Sequence, residues 1–224
     1  MQKKIRFALI VVTLVGLLAA AVYAIYRASQ QVPEFYAEAI SIPTEAQEEE
    51  SDLMLLQITT LHNELQGKGS WREVFKAQTI NGWLAVDLPR NHPTLLPRGM
   101  HDPRVHIGPE GITMACQVDR GGFRGVISLQ ISAFVESDDV VGLRVHKARL
   151  GAIPWSFRSV LDRITDAAKK SYIDIDWRQV DSDPVALIKI ASAKGDRKQH
   201  IHIDAILLEE GAMIVSGTTE IAPK

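Results

Sequence analysis

The pattern of the sequence predicts an α+β fold: an N-terminal transmembrane helix, then a curved antiparallel sheet of about eight strands packed on amphipathic helices. Three observations lead there. The run from Phe7 to Tyr26 carries no charge. Met54, Ile58, Leu61 and Leu65 recur at helical spacing, as do Phe157, Val160, Leu161, Ile164 and Ala168. From Arg104 onward the apolar period becomes two, broken by turn residues.

The first element spans residues 1–27. Twenty helical residues reach about 30 Å, the thickness of a bilayer's hydrocarbon. Lys3, Lys4 and Arg6 precede the apolar run and predict a cytoplasmic N-terminus, with the rest of the chain across the membrane. A signal peptide competes, with Ala19-Ala20-Ala21 or Val22-Tyr23-Ala24 as its cleavage site. The uncleaved anchor is preferred because apolarity continues to Tyr26, and Tyr23 and Tyr26 suit the membrane interface.

Residues 28–43 read as a membrane-proximal linker with Pro33 and Pro43 as breakers. An extracytoplasmic domain, 44–224, follows. Thr44 with Gln47 has the spacing of a capping box, and Glu45, Glu48, Glu49 and Glu50 suit the positive end of a helix running to about residue 66. Trp71–Ala77 reads as a strand and Thr79–Leu84 as the start of a short helix; Pro89–Pro103 reads as loop. Strands are expected over 104–107, 112–118, 125–135 and 140–150, a meander with one buried and one wet face. Gly151-Ala152-Ile153-Pro154 breaks the sheet before a helix over 155–171. Further strands are expected over 172–180, 184–192, 197–208 and 213–218, with Lys194-Gly195-Asp196 among their turns.

Composition narrows the function classes. The 224 residues hold 25 Lys+Arg and 27 Asp+Glu, with a single cysteine, Cys116. This is neither a disordered chain nor a disulfide scaffold, and it carries no basic signal for nucleic acid. The charge divides unevenly: residues 1–27 carry +4 and residues 28–224 carry −6. The acidic balance predicts no electrostatic pull of the domain toward an anionic membrane surface. Cys116 alternates with Ile112, Met114 and Val118 and reads as a small apolar residue.

Side chains that could carry chemistry form several small groups. His200, His202 and Asp204 alternate along one strand and could supply three ligands to a divalent metal, although a solvated strand face explains them as well. His92, His101 and Asp102 share the Pro-rich loop, where a carboxylate could orient a histidine base. Asp174, Asp176, Asp181 and Asp183 crowd a strand end without a calcium-loop pattern. Arg120 and Arg124 flank Gly121-Gly122 and could meet an anion. No nucleophile elbow or phosphate-binding glycine loop is found, so no catalytic residue and no cofactor is assigned. Trp83, Trp155 and Phe157 are candidates to line an apolar groove between helices and sheet, wide enough for an acyl chain if side chains leave it open.

Thr79-Ile80-Asn81-Gly82-Trp83-Leu84 after a strand, and Ala148–Pro154 entering a helix, resemble the YpmS-type family of single-pass bacterial membrane proteins of unknown function. The resemblance covers about residues 70–210, and the long acidic helix at 44–66 departs from it. It implies an exported domain with envelope or lipid-related duties and transfers no catalytic residue. The expectation is therefore a non-catalytic, membrane-anchored binding or scaffolding domain, its partner a lipid, another amphiphile or an envelope protein. A metal-assisted hydrolase built on His200, His202 and Asp204 is one alternative; a structural subunit of an envelope complex is the other.

Overall fold

Five helices and ten strands make up the described residues, 2–137, 139–170, 173–189 and 199–221, of the computed structural model. Their order is α1 (Gln2–Ser29), α2 (Glu34–Ser41), α3 (Thr44–Leu65), β1 (Gly69–Lys76), α4 (Ala77–Asn91), β2 (Met100–Gly108), β3 (Gly111–Arg120), β4 (Phe123–Ser137) and β5 (Val140–Leu150). The two-residue β6 (Ile153–Pro154) follows, then α5 (Phe157–Lys170), β7 (Ile175–Val180), β8 (Asp183–Lys189), β9 (Gln199–Glu209) and β10 (Ala212–Ile221). The expected turn at Lys194-Gly195-Asp196 and the strand ends next to it lie outside the described residues.

The fold is α+β with antiparallel pairing throughout, and the strands divide into two sheets. One is ordered β2-β3-β4-β5-β8-β7, with β6 paired to β5; the other is β1-β10-β9. The division arises because β1 pairs with β10, bringing Gly69 opposite Thr219 and Lys76 opposite Ala212. Trp71 lies across Gly217, which has no side chain to obstruct the ring, and Thr219 two residues on is buried.

Helix α1 contains Val12–Ser29, with mean hydropathy 1.6, long and apolar enough for a single membrane span or a signal helix. Its far end rests on the domain. Ala152 donates its N–H to the Ala28 carbonyl at 2.9 Å, and the Gln30 amide donates to the Arg124 carbonyl at 2.9 Å. Gly151 sits at φ +57, and a Cβ there would lie 2.5 Å from the Ala28 oxygen and 2.6 Å from that of Ser29. Only glycine permits this approach.

Helix α2 supplies the central core residue. Tyr36 packs with Ala115 and Val126 on one face of β3 and β4, with Phe35 beside it. Its hydroxyl donates to the Asp102 carbonyl at 2.8 Å. Asp102 takes a left-handed φ of 52 at a register shift between His101 and Arg104. Buried Arg104 donates to its neighbour Pro103 at 2.8 Å and reaches the Ala39 carbonyl at the end of α2 at 3.4 Å.

Two strand edges are closed by side-chain amides. Asn81 of α4 accepts the Val105 N–H at 2.7 Å and donates to the Val105 carbonyl at 2.8 Å, imitating a neighbouring strand along β2. Gly211, in the β9–β10 turn, donates to Ile107 on the same edge at 2.8 Å. Gln57 of α3 likewise donates to Val74 of β1 at 2.8 Å. Such pairing keeps an edge from recruiting another chain. Next to Asn81, Gly82 lets α4 approach α3 closely: a Cβ there would stand 2.6–2.8 Å from Glu50, Ser51 and Gln47.

Three local expectations are corrected. Pro43, not Thr44, stands at the N-cap of α3; Thr44 is already helical, and the Gln47 amide donates to Ile42 instead of closing a capping box. Helix α4 continues through Pro89 to Asn91, where Asn91 donates to Asp87 at 2.6 Å and His92 N–H to Leu88 at 2.9 Å. A proline near a helix end removes one donor without breaking the turns before it. Strand β2 begins at Met100, within what the prolines suggested was loop.

Candidate functional site

A concave site lies where the end of α1 meets the large sheet. Its volume is about 330 Å³, within the range of small-ligand sites. Gln31, Val32, Pro33 and Phe35 form one wall, directly after α1. Thr113 of β3, Ser128 and Gln130 of β4, and Lys147 and Arg149 of β5 form the other, with Gly151 and Ala152 at the end.

Register explains the polar wall. Thr113 pairs with Gln130 and Gln130 with Lys147, a continuous row across three strands; Ser128 pairs with Arg149 in the adjoining row. Alternation sends the intervening Met114, Leu129 and Ala148 to the opposite face. Beside Lys147 a register shift leaves His146 as an extra residue of β5, since Gln130 faces Lys147 but Ile131 faces Val145. The two walls differ in kind: Val32, Pro33 and Phe35 are apolar, whereas the sheet presents hydroxyls, an amide and two cations. No Asp or Glu lines the cavity. Lys147 and Arg149 are exposed, and neither has an ion-pair partner among the described residues.

Farther along β4 and β5 the same polar face holds a hydrogen-bonded chain. The Ser132 hydroxyl lies 2.8 Å from His146 Nε2, and His146 Nδ1 lies 3.2 Å from Asp183 Oδ2. Arg144 donates to Asp183 at 2.9 Å and to Asp181 at 3.1 Å. The hydrogen bond from Arg144 holds the Asp183 carboxyl below the usual carboxylate range, assisted by His146 and opposed by partial desolvation. Hydrogen bonds to Asp183 and then Asp181 raise the Arg144 guanidinium. The order serine–histidine–aspartate matches a nucleophile with its base. Ser132, however, stands mid-strand opposite Arg144, and not on the strand-to-helix elbow that presents a nucleophile beside free N–H groups. Asp183 is shared with Arg144. The arrangement ties β4, β5 and β8 together.

The residues singled out from sequence fall elsewhere. Trp83 lies on α4 with its ring 6.0 Å from that of His92. Trp155 follows β6, its N–H donating to Ala148 at 2.8 Å, and Phe157 opens α5. The Phe157 side chain lies outside the described residues. Helix α4 packs at the β2 edge and Trp155 beside β5, three strands across the sheet, so Trp83 and Trp155 do not share a wall. His200 and His202 are brought together, their rings stacked 6.5 Å apart, and His202 Nδ1 lies 3.4 Å from Asp139. Asp204 is displaced from them by a bulge: Ile203 pairs with Gly217 and Ala205 with Ser216, leaving Asp204 unpaired in register. That extra residue puts Ile206 on the same face as Ile201 and Ile203. Among the described residues no three His, Cys, Asp or Glu side chains gather as a metal site. His101 lies 3.4 Å from Asp102 and His92 lies 3.7 Å from Asp87, in separate places. Arg124 is paired with Asp119 at 3.1 Å.

Sequence reading missed Thr113, Ser128, Gln130, Lys147 and Arg149. Their signal was present as the wet half of each alternating strand. Which wet residues align across strands depends on register, and the cavity's second wall comes from residues 31–35, far away in sequence. No family model, curated protein or solved structure matches this chain.

Proposed function

We propose that this chain is a membrane-anchored binding domain that holds an amphiphile at the membrane surface. In this reading α1 remains uncleaved with its basic N-terminus in the cytoplasm, and the sheets lie outside it. The observation that carries the proposal is the cavity at the end of α1, with apolar Val32, Pro33 and Phe35 beside Gln31 on one wall and polar side chains on the sheet wall. A helix whose apolar window ends at Ser29 brings residues 31–35 to the boundary between hydrocarbon and water. A molecule seated there would meet apolar side chains and hydrogen-bonding groups together, as an amphiphile requires. This cavity takes the place of the groove suggested by Trp83, Trp155 and Phe157.

Extraction of the full chain in mild detergent, followed by mass spectrometry of its organic extract, tests the reading. A lipid at about one per chain is expected, and Ser128→Trp, which fills the cavity, should remove it. Equal lipid in both proteins, or none in the unsubstituted chain, would overturn the assignment. Orientation is read separately with a C-terminal alkaline phosphatase fusion, which should be active; an inactive fusion places the domain in the cytoplasm.

A further inference from the structure

We infer that the cavity selects an anionic phosphate headgroup, recognised by Lys147 and Arg149. The inference rests on the proposed amphiphile site and names the chemistry that site reads.

Lys147 and Arg149 are two residues apart on one strand, so they leave the same face about 7 Å from each other. A phosphate between them can accept from the ammonium and from the guanidinium fork at once. Ser128 is directly opposite Arg149, and Gln130 directly opposite Lys147. Each base therefore has a neutral hydrogen-bonding neighbour, and Thr113 extends the row beyond Gln130. Hydroxyls and amides can donate to the remaining phosphate oxygens. A carboxylate ligand would leave much of this donor set unused; an uncharged headgroup would leave two cations without a counter-charge.

The surroundings make the bases available. Elsewhere along these strands, arginines are paired: Arg144 with Asp181 and Asp183, Arg124 with Asp119. Lys147 and Arg149 have no carboxylate partner among the described residues, and none lines the cavity. Glu34, the acid nearest in sequence to the linker wall, is exposed on the first turn of α2 and is not part of the lining. The domain's overall negative charge thus hides a local excess of two positive charges at the depth where lipid phosphates lie. The bulge at His146 sits next to Lys147, the kind of irregularity that re-aims side chains beside a site.

A phosphate group can come from a lipid or from a soluble phosphoester, and the test separates them. The full chain in uncharged detergent is titrated by native mass spectrometry with dioctanoyl phosphatidylglycerol, with dioctanoylglycerol, which has the same chains without phosphate, and with glycerol 1-phosphate. The phosphatidylglycerol should bind at least tenfold more tightly than dioctanoylglycerol. Lys147→Gln with Arg149→Gln should abolish that preference, bringing the two lipids to equal affinity, with the melting temperature unchanged. Ser128→Ala, a smaller change, should weaken the phospholipid several-fold. Glycerol 1-phosphate binding as tightly as the phospholipid would support phosphate recognition and make a soluble phosphoester the source. Equal binding of the phosphatidylglycerol and dioctanoylglycerol, unaffected by the double substitution, would overturn the headgroup inference and leave the amphiphile site standing. Binding of none of the three probes would overturn both.

Discussion

Tyr36 is 1% exposed, and burial pushes its hydroxyl above the ordinary tyrosine range, with Asp102 adding to the effect. The neutral phenol is the form the core accepts, and it donates to the Asp102 carbonyl. Asn81, 9% exposed, makes the comparable bargain in the backbone's own terms, satisfying both the N–H and the carbonyl of Val105. Asn81→Ala should therefore leave two main-chain groups without partners and destabilise the fold by about 2–4 kcal/mol. Thermal unfolding of the variant measures this, and increased self-association should accompany it because the β2 edge is uncovered. A variant as stable and as monomeric as the unsubstituted chain would show that water replaces the amide without cost. Neither role was readable in the sequence. Asn81 followed helix-period residues and gave no sign that it would face a strand 24 positions later. Tyr36 lay between Pro33 and Pro43, where a helical turn or two fitted Glu34–Ile40 but nothing marked a core residue.

At the scale of elements, local periodicity carried far. The helical stripe in 54–65 and the alternation after Arg104 are short-range consequences of how side chains leave helices and strands, and α3 and β3–β5 follow them. Pairing is long-range, so the separation of β1-β10-β9 as its own sheet could not be read from those periods. Nor could the partner of Arg144. Asp181 lies in the β7–β8 turn and Asp183 opens β8, and both also act as counter-ions to Arg144 that close β8 onto β5. Because Asp183 is held below the usual carboxylate range in the fold, its contribution to stability is complete above about pH 4, the unfolded value, and is lost as pH falls through the lower folded value. Melting curves of the chain and of Asp183→Asn should differ most near neutrality and converge as the solution is acidified below pH 4. A gap of constant size across that range would mean that the carboxylate's charge does not hold these strands.

The whole molecule depends on how α1 meets the sheets, because the cavity wall at residues 31–35 is suspended between them. Tyr36 fixes that wall from α2; Gly151, in the turn between β5 and β6, seats the end of α1 beside it. Gly151 and Gly211 both have positive φ, +57 and +75, but their surroundings differ. A Cβ at Gly211 would meet nothing within 4 Å, whereas at Gly151 it would collide with the carbonyls of Ala28 and Ser29. Asparagine tolerates the left-handed region better than other side chains. Gly211→Asn should therefore cost about 1 kcal/mol, the price of conformation alone. Gly151→Asn adds a collision with backbone that cannot move aside unless the end of α1 separates from the β5–β6 turn. The expected result is faster trypsin cleavage after Arg27 in the full chain, together with loss of the proposed amphiphile binding, while Gly211→Asn behaves as the unsubstituted protein. If the two variants are cleaved at the same rate, α1 is not seated on Gly151, and the cavity wall must be held by α2 alone. In that case a domain freed of residues 2–29 would keep its binding site. Under the seating described here, removal of α1 should weaken the proposed binding even of a short-chain probe dissolved in water, since one end of the wall has lost its support.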